Sequence, residues 1–214
     1  MKKETRAPVI LVTGAGRGLG RGIANELARA GMSVAIHFGS SQGGAQEAAA
    51  ECRENAISSN QEFHTIQGDL ANPESRNSIL PATLDCFGQV DALINNAGIT
   101  EPNRRDCLLA NEDDYERVMH VNLKAPYFLM QATARWMIDH PDTKRLQHYQ
   151  ILNISSISST TVSTNRGAYC ISKAGLSMAT AVWAARLAEH EILVNDLQPG
   201  IMRSDMTSGA KAKY

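Results

Sequence analysis

A chain of 214 residues, 43% of them hydrophobic, can bury one substantial core and is short for two domains. Its 21 basic and 22 acidic residues nearly cancel, which removes the electrostatic basis for a nucleic-acid or membrane-surface partner and leaves a small molecule as the default ligand. Cys52, Cys86, Cys107 and Cys170 form no C-x-x-C pair, so neither a zinc site nor a disulfide framework is indicated.

After the basic start Lys2 to Arg6 the apolar stretch is too short for a secretion signal, and no run reaches membrane-spanning length. A cytoplasmic protein is expected. Val9-Ile10-Leu11-Val12, the turn Thr13-Gly14-Ala15-Gly16-Arg17-Gly18-Leu19-Gly20, and Leu19, Ile23 and Leu27 at helical spacing predict strand, tight loop and helix. Glycines let the backbone close on a pyrophosphate, whose charge suits the N–H groups and dipole of a helix start. The G-x-G-x-x-G pattern is not met, since Leu19 stands at its last position; Gly14, Gly18 and Gly20 give a three-residue gap and then a single one.

Ser33 to Ile36 predicts a second strand, Gly39 to Gly44 a polar turn, and Ala45 to Asn55 a helix. A third strand from Glu62 to Gln67 precedes Asp69. Asn72-Pro73-Glu74 then opens a helix whose apolar face is Ile79, Leu80, Leu84 and Phe87. Val90 to Ile94 is a fourth strand, ending in Asn95-Asn96-Ala97-Gly98. One long helix from Asp113 to Ile138, bent or bounded at Pro126, leads to a fifth strand at Gln150 to Ile154. Tyr169 to Glu189 is a further helix, and Leu193 to Leu197 a sixth strand closed by Pro199-Gly200. The alternation predicts an α/β fold with a parallel sheet of at least six strands, helices on both faces, and ligands bound beyond the carboxyl ends of the strands.

Tyr169 and Lys173 lie four residues apart, on one helix face, and follow Ser156 by 13 positions. Singly, a Tyr/Lys pair is usually a solvated surface pair, and polar residues commonly end strands. Together they suit reduction of a carbonyl, which needs a proton donor at oxygen and a second donor holding that oxygen. A tyrosine does this near neutrality only if positive charge stabilises its phenolate, and Lys173 can supply the charge.

Thr13 to Gly20, Asp69, Asn95 to Gly98, Asn122, Ser156, Tyr169-x-x-x-Lys173 and Pro199-Gly200 together resemble the ordered signature of short-chain dehydrogenases/reductases, of the subgroup resembling 3-oxoacyl-carrier-protein reductases. The resemblance runs from about residue 8 to residue 207. It implies one doubly wound Rossmann domain over residues 1–214, with Tyr169 as general acid/base and Ser156 on the substrate oxygen. Lys173 would lower the tyrosine pKa and bind the nicotinamide ribose, and Asn122 would hold a proton-relay water. Asp69 and Leu70 would meet the adenine side. Gly14, Gly18, Leu19, Gly20, Asn95, Ala97, Gly98 and the Pro199-Gly200-Ile201 backbone would line the cofactor, and Ser204 would reach the carboxamide. Ser155 is left out, because strand alternation turns it away if Ser156 faces the site.

An NAD site ends its second strand in Asp or Glu, which accepts from the ribose 2′-hydroxyl and repels a 2′-phosphate. Here His37-Phe38-Gly39-Ser40-Ser41 holds no acid, Arg17 stands in the glycine loop, and Ser40 or Ser41 could donate to a phosphate. NADP(H) is therefore expected ahead of NAD(H). The six histidines share no metal-ligand spacing, so they read as surface or core residues and no metal is expected.

The sequence departs from the family pattern twice. Residues 139–149 are longer than the usual turn and are expected to be surface elaboration at the amino end of the fifth strand. The chain also stops at Tyr214, before the lid helices and final strand that the resemblance implies. A further tail is expected, since losing a sheet-edge strand exposes apolar surface. The resemblance implies a homodimer or homotetramer through the helices near Asn122 and after Tyr169. The leading function is NADPH-dependent reduction of a ketone such as a 3-oxoacyl thioester. Alternatives are a sugar, polyol or other secondary-alcohol dehydrogenase and, from a different class, a redox-silent dinucleotide-binding regulator.

Overall fold

All four residues of Val9–Val12 (β1) are buried, and alternation divides them between two cores. Val9 and Leu11 pack with Ile79, Leu80, Leu129, Met130 and Met137, whereas Ile10 and Val12 pack with Ala24, Ala28, Ala45, Ala48 and Cys52. Each large apolar side chain buried in this way contributes about 1.5–3 kcal/mol. A strand with two dry faces needs helices above and below it, and the computed structural model, which describes residues 6–102 and 104–202, has that architecture.

Strand β1 is joined by β2 (Ser33–Phe38), β3 (Phe63–Gln67), β4 (Ala92–Asn95), β5 (Gln150–Ile154) and β6 (Leu193–Leu197) in one six-stranded sheet ordered β3-β2-β1-β4-β5-β6. Every pairing is parallel, with Val12 opposite Ile36 on one side and Ile94 on the other. Helices α1 (Gly18–Arg29) and α2 (Gln42–Glu54) cover one face, and α3 (Pro73–Phe87), α5 (Ala125–Asp139) and α6 (Gly167–Leu187) the other; α4 (Glu112–Met119) leads into α5. This is a doubly wound Rossmann-like fold. The strand order reverses between β1 and β4, which opens a crevice at their carboxyl ends.

β2 runs on to Phe38 and β4 spans Ala92–Asn95, each two residues off the expected bounds at one end, and three helical elements differ from the sequence expectation. Helix α2 starts at Gln42 rather than Ala45, so Gly43 and Gly44, expected in a turn, form its first turn. A Cβ at Gly44 would lie 2.7 Å from the Gly16 carbonyl, so glycine there reflects close approach of α2 to the β1–α1 loop. The expected long helix is instead α4, a π-helical turn at His120–Lys124, and α5. Pro126 falls in the first turn of α5 and has no N–H to offer the carbonyl of Asn122, and the wider turn absorbs the mismatch. The last helix is shifted two residues earlier than expected, with Leu187 followed by a 3-10 turn at Ala188–His190.

The helix opened by Asn72 does follow its sequence signals: the Asn72 side chain accepts from the Ser75 N–H, with Pro73 in the first turn. Residues 139–149 are tied to the amino end of the sheet. The buried Asp91 carboxylate accepts from the Arg145 N–H at 2.6 Å and the Val9 N–H at 2.8 Å, and the Arg145 side chain donates to the Ala7 carbonyl. No helix among the described residues is long and apolar enough to cross a membrane, and no group of three or more His, Cys, Asp or Glu residues there could hold a metal ion.

Candidate active site

The site is assembled from chain segments leaving the carboxyl ends of β1, β4, β5 and β6. Thr13, directly after β1, binds the β1 turn to the β4 turn: its hydroxyl accepts from the N–H groups of Asn96 and Ala97, both at 3.0 Å. Asn96 returns the contact, its side-chain amide donating to the Thr13 carbonyl at 2.8 Å and the Gly14 carbonyl at 3.2 Å. Gly14 takes φ +64°, and a Cβ there would lie 2.9 Å from Ala97 Cα, so both its conformation and its neighbour require glycine. Gly18 also has positive φ, yet it faces open space. The N-cap of α1 is Arg17, which makes no side-chain cap, so the first N–H groups of the helix have no local side-chain acceptor. A turn with Gly14, Gly16, Gly18 and Gly20 and uncapped helix donors are the features that accommodate a dinucleotide phosphate.

Beyond β4, Gly98 is held against two functional side chains, since its Cβ would lie 3.4 Å from Lys173 Nζ and 3.5 Å from Asn122 Oδ1. Asn122, fully buried on the π-helical turn, accepts from the Ile99 N–H and donates to the Ile99 carbonyl, both at 2.8 Å. Its amide also donates to Ser172 Oγ, which donates in turn to the Tyr169 carbonyl. The π-helical turn thereby fixes the β4 loop to the helix carrying Tyr169. From that loop the Glu101 carboxylate accepts the Tyr169 N–H at 3.2 Å, serving an α6 start whose own N-cap, Arg166, makes no side-chain cap.

Lys173 is almost wholly buried and donates to the Ile154 carbonyl at 2.7 Å. Burial pushes its pKa down to about 8, opposed by the charge of Asp196. Tyr169 is displaced upward by burial, against which hydrogen bonding to Ser156 and the positive charge of Arg166 both act. Ser156 is itself oriented by the chain, its Oγ accepting from the Ser158 N–H at 3.1 Å. Ser156, Tyr169, Lys173, Asn122 and Gly98 thus come together. A protonated phenol with a serine hydroxyl beside it can protonate and hold a substrate oxygen.

Other sequence-selected residues are distributed around this cluster. Arg17, Ser40 and Ser41 are exposed on the loops after β1 and β2, Asp69 is exposed after β3, and Leu70 is buried. Leu19 packs partly buried beside the core on the α1 and α2 face, and a Cβ at Gly20 would collide with the Gly14 carbonyl and the Asn96 amide. The Asn95 side chain turns inward, donating to Asn153 Oδ1 at 2.8 Å, and Asn153 continues to Thr180. Its neighbour Asn96 is the one that reaches the glycine turn. The Pro199 carbonyl accepts from the Ile157 N–H, Gly200 and Ile201 are exposed, and Ser204 lies outside the described residues. The Ser155 hydroxyl is buried and has no hydrogen-bond partner among the described residues. Sequence reasoning passed over Asn96 and Glu101, which act through contacts with residues distant in the chain, and Arg166, which stands three positions before Tyr169. It also treated His37 as an unassigned histidine.

A family model for the short chain dehydrogenase matches residues 8–214. The chain belongs to this family. Among curated relatives, the 3-oxoacyl-[acyl-carrier-protein] reductase of Synechocystis sp. is 32% identical over 209 residues, covering 97% of this chain and 79% of the relative. A crystal structure of 3-oxoacyl-[acyl-carrier protein] reductase from Brucella melitensis in complex with NAD superimposes with a TM-score of 0.88 at 36% identity, covering 99% of this chain and 80% of that one. A landomycin C-6 ketoreductase with bound NADP and rabelomycin gives a TM-score of 0.78 at 28% identity, covering 91% of this chain and 76% of that one. This short-chain dehydrogenase is accordingly a carbonyl/alcohol oxidoreductase of the class that binds NAD(P).

Proposed function

We propose that the protein reduces a ketone to a secondary alcohol with NADPH, and that the ketone is a 3-oxoacyl thioester or a close relative of one. What supports this is the convergence of Ser156, Tyr169 and Lys173 beside Gly98, at the crevice where the strand order reverses. The Gly14 to Gly20 turn with Asp69 and Leu70 would hold the phosphate and adenine side of a nicotinamide dinucleotide, and Ala97, Gly98, Pro199, Gly200 and Ile201 its nicotinamide side; bound there, it would supply the hydride. The Ser156 hydroxyl holds the substrate oxygen and the Tyr169 phenol protonates it. Lys173 would hold the ribose, and the charge of Arg166 opposes the rise of the Tyr169 pKa. Asn122 orders the loop against which the ring side of the site is built and supports the proton path. Burial holds the Tyr169 pKa above the ordinary phenol value, so the group is a phenol, the proton-donating form, at neutral pH.

The choice of NADPH is argued from this chain's own residues, because one solved neighbour carries NAD and another NADP. No acid directly follows β2 that could repel a 2′-phosphate, and Ser40 and Ser41 after β2 and Arg17 after β1 are exposed as donors. A 3-oxoacyl thioester is suggested by the names of the relatives. Exposed Tyr127 and Phe128 on α5 and Met178 and Val182 on α6 support assembly as a dimer or tetramer through these helices. The test is kcat/KM for NADPH and NADH across ketones that include acetoacetyl thioester. Turnover favouring NADPH with the thioester among the best substrates supports the proposal; preference for NADH, or turnover only on sugars and polyols, overturns the corresponding part.

A further inference from the structure

His37, the fifth residue of β2, is 1% exposed and both of its ring nitrogens are engaged. Nε2 lies 2.9 Å from the Gly68 carbonyl oxygen, which can only accept, so Nε2 carries the proton. Nδ1 is then a bare acceptor and takes the Gly14 N–H at 3.2 Å. The His37 carbonyl accepts the next amide, Ala15 N–H, at 2.8 Å. One residue therefore grips two consecutive amides of the glycine turn and the carbonyl preceding Asp69. Burial pushes the imidazole pKa down to about 4, and no charged group contributes to that shift, so the ring stays in this neutral form throughout the neutral range.

Two consequences follow from the hydrogen-bond inventory. The Gly14 and Ala15 amides are consumed inside the protein, so the donors left for a phosphate begin beyond Ala15, at Gly16 to Gly20 and the uncapped start of α1. The imidazole bridges that turn and the loop beginning at Gly68, beside backbone bonds that hold each to β2: Ala15 N–H to the His37 carbonyl and Gly68 N–H to the Phe38 carbonyl at 3.0 Å. We infer that His37 is a positioning residue for the dinucleotide, latching the phosphate-side turn to the strand end that leads to Asp69. This rests on the dinucleotide-dependent function proposed above. The latch touches neither the 2′ position nor the substrate, so it governs affinity for NADPH and NADH alike.

The experiment compares NADPH and NADH dissociation constants, by titration of ligand fluorescence, for the full-length protein and its His37→Leu and His37→Asn variants, each checked for native circular dichroism. Leu leaves the Gly14 N–H and the Gly68 carbonyl unpaired, and both dissociation constants are expected to rise by roughly 10- to 100-fold with their ratio unchanged. Asn restores an acceptor near Gly14 without reaching Gly68 and is expected to fall between, which keeps the test decisive if the Leu variant does not fold. Heteronuclear NMR of the wild-type protein without ligand is expected to show a neutral His37 protonated at Nε2 and a Gly14 amide protected from exchange. Folded variants that bind both dinucleotides with wild-type affinity, or a His37 protonated at Nδ1, overturn the inference. Wild-type protein that binds neither dinucleotide overturns the functional reading itself, and that failure is recognisable because it involves no variant.

Discussion

The guanidinium carbon of Arg166 lies 5.6 Å from the centre of the Tyr169 ring, as near as the Lys173 ammonium at 5.8 Å. Lys173 donates a hydrogen bond to the Ile154 carbonyl, and burial lowers the pKa of its ammonium to about 8. Arg166 is also the cation whose charge lowers the Tyr169 pKa. In alcohol oxidation the phenolate is the base, so Arg166→Gln is expected to move the pH profile of kcat/KM upward and to slow oxidation several-fold at neutral pH. Arg166→Lys is expected to keep the profile near that of the wild type. A Gln variant with an unmoved profile would show that the cation does not reach the phenol.

Ser156→Ala removes the hydroxyl that hydrogen-bonds the tyrosine and holds the substrate oxygen. Loss of one such donor costs roughly 10²- to 10³-fold in kcat. Because Ser156 is not in the glycine turn, the NADPH dissociation constant is expected to stay within about threefold of wild type, since one lost neutral hydrogen bond at most is involved. Steady-state kinetics and a ligand titration on the same preparation check both halves.

The glycine turn predicts opposite signs for two neighbouring substitutions. Gly22, in the interior of α1, has nothing within 4 Å of its added Cβ, so Gly22→Ala should stabilise the fold by about 0.5–1 kcal/mol. Gly20→Ala drives its Cβ into the Gly14 carbonyl, which is backbone and cannot rotate away, and should destabilise by about 1–3 kcal/mol. Urea unfolding of the two variants beside the wild type measures both.

The parts of this architecture that were legible in the sequence are those with local causes. Val9 to Val12 is apolar because both its faces are dry, and Asn72-Pro73-Glu74 marks a helix start because cap, proline and acid act within one turn. Tyr169 and Lys173 share a helix face by spacing alone, and the resemblance to the family supplied Ser156 and Asn122 beside them. What escaped has nonlocal causes. Gly43 and Gly44 look like turn residues until α2 is seen to need close approach to Gly16. Asn95 and Asn96 are indistinguishable as a string, yet one turns toward Asn153 and the other toward the glycine turn. His37 carries no motif, and its partners Gly14 and Gly68 are 23 and 31 residues away.

His37 also makes stability depend on pH. Its folded pKa of about 4 lies below the ordinary 6.5, so the neutral ring contributes stability that is fully present above pH 6.5 and is lost as pH falls through 4. At about 1.4 kcal/mol per pKa unit the loss amounts to about 3 kcal/mol. Urea unfolding across that window should show this loss in the wild type and its absence in His37→Asn.

The most direct measurement is NADPH oxidation with acetoacetyl thioester by the wild-type protein and by Tyr169→Phe, under conditions where both are saturated with NADPH. Replacing the phenol with a ring that has no proton to give is expected to cut turnover roughly 10²- to 10⁴-fold while NADPH still binds. Turnover by the Phe variant at the wild-type rate would contradict the assignment of Tyr169 as the proton donor.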